Sequence, residues 1–121
     1  MPKIKHVLTQ EQQEHFYRMI DKYQVILNLQ NWRIERHSQK PQKGNLAEVH
    51  VSYPDRSAAV LLCTDWGEKE PTPSAIAEIA VHELLHVFLR TFEAAVQSRD
   101  SGAIDAAEHD IVIVLQKLLT P

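Results

Sequence analysis

A helical hydrophobic pattern begins near the start of the chain. Phe16 and Ile20 open a series of apolar positions that recur every three or four residues, which is the period of one face of an α-helix. Thr9 and Gln12 have the spacing of a capping box, in which each side chain bonds the backbone N–H of the other residue. The pattern therefore predicts an amphipathic helix over residues 10 to about 28.

The hydrophobic period changes to two after Trp32. Apolar and polar residues alternate around Ile34 and again from Ala47 to Tyr53, and such alternation indicates half-buried strands. The turn sequence "YPDR" then precedes "SAAVLLCTDW", which is apolar on both faces. Residues 46–65 are therefore predicted to form a hairpin that ends in a buried strand, so a small three-stranded sheet is expected.

Two further helices are predicted after the loop "GEKEPTP". Thr72 can cap the first helix, and Pro73 fits its first turn, where a missing N–H costs nothing. The polar cluster "QSRDSG" interrupts the apolar pattern, which resumes from Ala103 to Leu119 and predicts a last helix there. The expected fold is α+β, with the order helix, three strands, two helices, in a single domain of residues 1–121.

Composition excludes several classes of function. The formal net charge is -3 at pH 7, whereas a nucleic-acid binder is expected to carry a basic face. No apolar stretch approaches the roughly 18 residues that span a bilayer, and the N-terminus lacks the pattern of a signal peptide. Cys63 is the only cysteine and cannot form an intrachain disulfide. We therefore expect a cytoplasmic protein with no nucleic-acid or membrane partner.

The stretch "AIAEIAVHELLHVFLRTF" places two histidines and a glutamate in the most apolar helical run. His82 and His86 are four residues apart, so on a helix both imidazoles project from one face and can bind one ion at roughly 2.0–2.1 Å. Glu83, about 100° from His82 on the wheel, can take a proton from a metal-activated water and deliver it to a leaving amine. This is the H-E-x-x-H arrangement. The structural alternative is a core helix whose histidines flank its apolar stripe.

A catalytic zinc needs a third protein ligand, and the last helix offers two candidates. On a wheel centred on Ile111, Glu108 lies at about 60° and His109 at about 160°. We therefore predict that Glu108 faces inward and is the third ligand of one Zn²⁺ per chain, a buried salt bridge being the alternative. A turn near Ser98 would bring Glu108 within about 6 Å of the level of His86. His109 is an alternative ligand, a group that steadies the transition state, or an exposed helix residue.

"HELLH", followed 22 residues later by "EH", resembles the gluzincin group of zinc metallopeptidases. From Trp32 onward the element order is similar to that of small predicted metallopeptidases in phage and prophage genomes. The resemblance implies a minimal zincin-like fold in which His82, His86 and Glu108 hold Zn²⁺. It further implies that Glu83 is the general base and that an edge strand pairs with an extended peptide or protein substrate. For a phage-encoded chain, the location would be the host bacterial cytoplasm.

The chain departs from the gluzincin pattern in two places. Val112 stands where gluzincins carry an acidic residue that supports the first histidine, so that role would pass to another group such as Glu78. The sequence ends at Pro121, so we expect no C-terminal domain supplying a histidine or tyrosine for the transition state. The alternative function is a non-catalytic zinc-stabilised module that binds a partner protein, as a phage regulatory protein would. Water in the fourth metal position favours the enzyme, and a further side chain there favours the module.

Overall fold

The computed structural model describes residues 4–37, 40–42 and 44–120. This part of the chain forms three helices with small β-sheets, so the predicted α+β class is confirmed. The elements follow in the order β1 (His6–Val7), α1 (Gln10–Ile26), β2 (Arg33–His37), β3 (Ala47–Ser52), β4 (Ser57–Leu62), β5 (Asp65–Gly67), α2 (Pro73–Ser98) and α3 (Ser101–Leu119).

The capping box predicted for the first helix is present at the start of α1. The Thr9 hydroxyl accepts a hydrogen bond from the Gln12 backbone N–H at 3.1 Å, and the Gln12 side chain accepts one from the Thr9 N–H at 2.9 Å. Phe16 and Ile20 are buried in the core. The apolar face of α1 therefore packs inward, against α2, as the periodicity predicts.

The main sheet has three strands in the order β2-β4-β3. β4 lies in the centre, parallel to β2 and antiparallel to β3. The predicted hairpin is confirmed for β3 and β4, where Val49 lies opposite the fully buried Val60. β3 is thus an edge strand, and in the described structure no further strand pairs with its outer side.

The predicted three-stranded sheet is confirmed, but the expected element order is wrong because it omits β1 and β5. These two strands form a separate antiparallel sheet. They are two and three residues long, too short for any hydrophobic period to show. β5 contributes the buried Trp66, whose indole N–H donates to the carbonyl oxygen of Cys63 at 2.9 Å.

α2 is the central helix of the core and begins at the predicted cap. The Thr72 hydroxyl accepts from the Ala75 N–H at 3.1 Å, and Pro73 occupies the first turn. Ala80 and Leu84 are fully buried, so α2 contributes its apolar face to the core along much of its length. None of the helices in the described ranges has the length and apolar character required to cross a membrane.

α3 folds back along α2 through a very short connection. Arg99 ends α2 in the left-handed conformation with φ of 59°. Asp100 then caps α3, and its carboxylate accepts from the Ala103 N–H at 3.2 Å. α3 consequently begins at Ser101, slightly before the predicted start at Ala103. These two linking residues fix which parts of α2 and α3 lie side by side.

Candidate metal centre

His82 and His86 face each other on α2. Their Nε2 atoms are 3.3 Å apart, and the two ring planes are inclined at 81°. Two ligands at about 2.0–2.1 Å from one tetrahedral ion lie about 3.3–3.4 Å from each other. The spacing therefore fits a shared Zn²⁺. It also fits an N–H···N hydrogen bond, in which one neutral ring donates and the other accepts.

Glu83 is the buried carboxylate of this site, with 7% of its surface exposed. Burial raises the pKa of the Glu83 carboxyl, and the positive charge that His82 and His86 can carry opposes that rise. Among the described residues it is the one charged side chain classed as buried. A carboxylate with a raised pKa is a stronger base near neutral pH, which suits a proton acceptor better than a structural group.

The histidine pair and Glu83 open into a pocket of about 610 Å³ between α2 and β3. β3 lines this pocket with five consecutive residues, 47–51. Successive side chains of a strand point to opposite faces, so one face alone would contribute only every second residue. A pocket wall that includes all five residues must therefore include the backbone at the edge of the strand. The free edge of β3 therefore lies across the pocket from the histidines.

Glu48 and His50 belong to this pocket and were not predicted as site residues. Hydrogen bonds from the Asn45 amide at 2.8 Å and the Gln42 N–H at 2.6 Å hold the pKa of Glu48 below its ordinary value, so its carboxylate is charged. His50 Nε2 lies 3.3 Å from Glu48 Oε2. In the sequence both residues appear only as the polar positions of a strand, and nothing local indicates that β3 borders α2.

Glu108 does not face inward, so that part of the prediction is wrong. Its side chain is exposed, and it does not line the pocket of the histidine pair. The buried residues of α3 are Ala107 and Val114, centred about 50° from Ile111 on the helical wheel. With α3 oriented in this way, the Glu108 side chain points outward. Its role as the third ligand stays a prediction.

Glu108 is also displaced from the pair along the helix axis. Because α2 ends at Ser98 and α3 begins at Ser101, Glu108 lies level with Thr91, about 7.5 Å beyond His86 at 1.5 Å per residue. To share an ion with the pair, Glu108 would require α3 to turn and to move along α2. Within the described ranges, no three His, Cys, Asp or Glu side chains are grouped so that they could hold a metal ion.

The other two residues named from the sequence lie outside the pair's contacts. Glu78 is exposed and borders two smaller hollows beside His82, of about 350 and 470 Å³. The hydrogen-bonding neighbour of the His82 ring is His86 rather than Glu78. His109 is exposed on α3, as expected for a residue far from the buried stripe of that helix.

The chain matches no protein-family model, no curated protein and no solved structure. The resemblance to gluzincins consequently depends on the residues of this chain alone. Its supporting features are the spacing of the histidine nitrogens, the buried Glu83, and the strand edge opposite them.

Proposed function

We propose that the protein is a zinc-dependent metallopeptidase in which His82 and His86 hold Zn²⁺ and Glu83 is the general base. The observation that carries this proposal is the 3.3 Å spacing of the two Nε2 atoms, in one pocket with the buried Glu83 carboxylate. Zinc, when bound, polarises a carbonyl group and lowers the pKa of water. We further propose Glu108 as the third ligand, reached through a movement of α3.

Glu83 provides the proton transfers of the proposed reaction. It accepts a proton from the attacking water and then donates it to the leaving amine, so that the amine departs in neutral form. Its burial supports both steps. Desolvation raises the pKa of the Glu83 carboxyl, which brings its proton affinity closer to what a base and an acid near neutral pH require.

The substrate in this proposal is an extended peptide or protein segment that pairs with the free edge of β3. Backbone N–H and C=O groups of an edge strand bind such a segment by β-augmentation, with little dependence on its side chains. The β3 edge and the histidine pair line opposite sides of one pocket. A bound segment would therefore present its backbone carbonyl groups to the metal side.

The same proposal covers the fold family and the location of the protein. We assign the fold to a minimal zincin, supported by an active-site helix beside an antiparallel edge strand. We place the protein in a reducing cytoplasm, supported by the single cysteine, Cys63, which is a free thiol.

Zinc titration of two adjacent variants tests the third ligand. We expect Glu108→Ala to weaken zinc binding at least tenfold, because a carboxylate ligand at about 2.0–2.2 Å is lost from the metal. His109→Ala is the matched control and should change the affinity less than about twofold. A competing chelating dye gives both dissociation constants. If both variants bind zinc as tightly as the wild-type chain, α3 supplies no ligand. Glu48 in the pocket wall is then the residue to substitute.

Removal of zinc is expected to lower the melting temperature of the protein. A ligand that binds only the folded chain stabilises it by about 2.7 kcal/mol at 100 times its Kd. For a chain of this length, such a change corresponds to roughly 10 °C in Tm. Calorimetry with and without a chelator measures the shift in Tm. The Tm of His86→Ala should not change when the chelator is added. An unchanged wild-type Tm after verified metal loss would contradict the proposed site.

A further inference from the structure

α2 and α3 leave a large apolar surface uncovered. Most exposed large hydrophobic side chains of the described residues lie on these two helices, and a few lie elsewhere. We define the hairpin face as the exposed apolar residues on the outer side of the α2–α3 pair. Its members, with their exposed fractions, are Leu85 (39%), Leu89 (42%), Val96 (46%), Leu115 (45%), Leu118 (50%) and Leu119 (80%).

The α2 part of the hairpin face is a single stripe that points away from the core. Leu85, Leu89 and Val96 fall within about 40° of one another on the helical wheel. Val87, which is fully buried, lies roughly 160–180° from Leu89 and Val96. This stripe therefore looks outward, away from the buried side of α2.

The α3 part continues the same surface. Leu115 lies about 90° from the buried side of α3, and Leu118 lies between the two, about 60° from Leu115. Since α3 runs back along α2 from Ser101, Leu115 lies level with the end of the α2 stripe at Leu85. Two antiparallel helices side by side thus present one largely apolar face, with the exposed Glu108 about 20° from Leu115 on the wheel.

We propose that the hairpin face pairs with the same face of a second copy, so that the chain forms a homodimer with a four-helix core. The six side chains expose roughly 500 Å² of apolar surface per copy, near the upper end for a patch on a monomer. With a polar rim, this approaches the ~800 Å² per partner of a standard interface. A two-fold axis parallel to the helices lays α2 of one copy on α3 of the other, so that every neighbouring pair is antiparallel.

The charges near the hairpin face favour a protein partner over a lipid surface. Helices that lie on membranes surround their apolar stripe with Lys and Arg, which bind anionic headgroups. α3 instead carries Asp105, Glu108 and Asp110 against Lys117. The helix is therefore acidic, and an anionic membrane would repel it.

Sedimentation equilibrium from about 1 to 100 µM tests the dimer. We expect a dimer with a Kd of about 10 µM or tighter. Leu89→Glu should weaken it at least 100-fold, because it places a charge at the centre of the apolar contact. Val25→Glu is the matched control, since Val25 is 60% exposed on α1, and it should leave the dimer unchanged. Leu115→Glu repeats the test from α3 in case Leu89→Glu fails to fold, as monitored by circular dichroism.

A wild-type chain that stays monomeric at about 100 µM would overturn the inference. A dimer that survives both Leu89→Glu and Leu115→Glu in folded form would overturn it as well, because the contact would then use another surface. The measurement is repeated with a chelator present. The dimer should persist there, because without a metal α3 keeps the position described here, so a failure of zinc binding would refute the proposed function without affecting this result.

Discussion

Glu83→Gln is expected to retain zinc and to lower the rate of peptide hydrolysis by about 10³-fold. Glutamine keeps the shape of the side chain but cannot accept a proton from the attacking water. A fluorogenic peptide library measures the hydrolysis, and metal analysis measures the zinc. Glu78→Gln is the matched control, because Glu78 is an exposed glutamate on the same helix, and its rate should stay within about twofold of wild type.

Two results would argue against the assignment of Glu83. If Glu83→Gln cleaves as fast as the parent chain, another group is the base. If the wild-type chain binds zinc but cleaves no peptide in the library, the non-catalytic zinc module becomes the better description, since binding through the histidine pair would then serve stability or a partner.

His82→Ala and His86→Ala are each expected to reduce the zinc content from about one ion per chain to near zero, because either change leaves too few protein ligands for a tight site. Plasma mass spectrometry after dialysis measures the content. His50→Ala is the control, as its ring borders the same pocket from β3, and it should keep its zinc. Full zinc content in both α2 variants would mean that the metal binds elsewhere.

Local sequence signals were sufficient for the main helices and the main sheet. Capping residues such as Thr9 and Thr72 act on N–H groups a few positions away, so their spacing marks the helix starts. The alternation around Val49 likewise identifies a strand. β1 and β5 could not be found in this way, because strands of two and three residues carry no period and form only through pairing with each other.

The candidate site was predictable to the extent that it depends on one helix. His82, Glu83 and His86 share α2, so helical geometry alone relates their positions. The orientation of α3 depends on tertiary packing instead. Residues such as Val112 and Ile113 make that helix apolar nearly all round, so the wheel has no unique buried direction. This ambiguity explains why the inward orientation of Glu108 was predicted wrongly.

The far wall of the site depends on contacts between distant parts of the chain. Glu48 and His50 reach the pocket because β3 occupies the sheet edge next to α2. Sequence periodicity shows that these residues alternate with apolar ones, but it does not give the strand order. The order β2-β4-β3, with β3 outermost, arises from how the hairpin pairs with β2.

The central claim is that His82 and His86 share a zinc ion. Anomalous diffraction at the zinc absorption edge, from crystals grown with zinc, tests it most directly. We predict a peak about 2.0–2.1 Å from both Nε2 atoms, with the nitrogens still close to the 3.3 Å spacing seen here. An absence of any peak between the two rings, with an N–H···N hydrogen bond joining them, would contradict the claim.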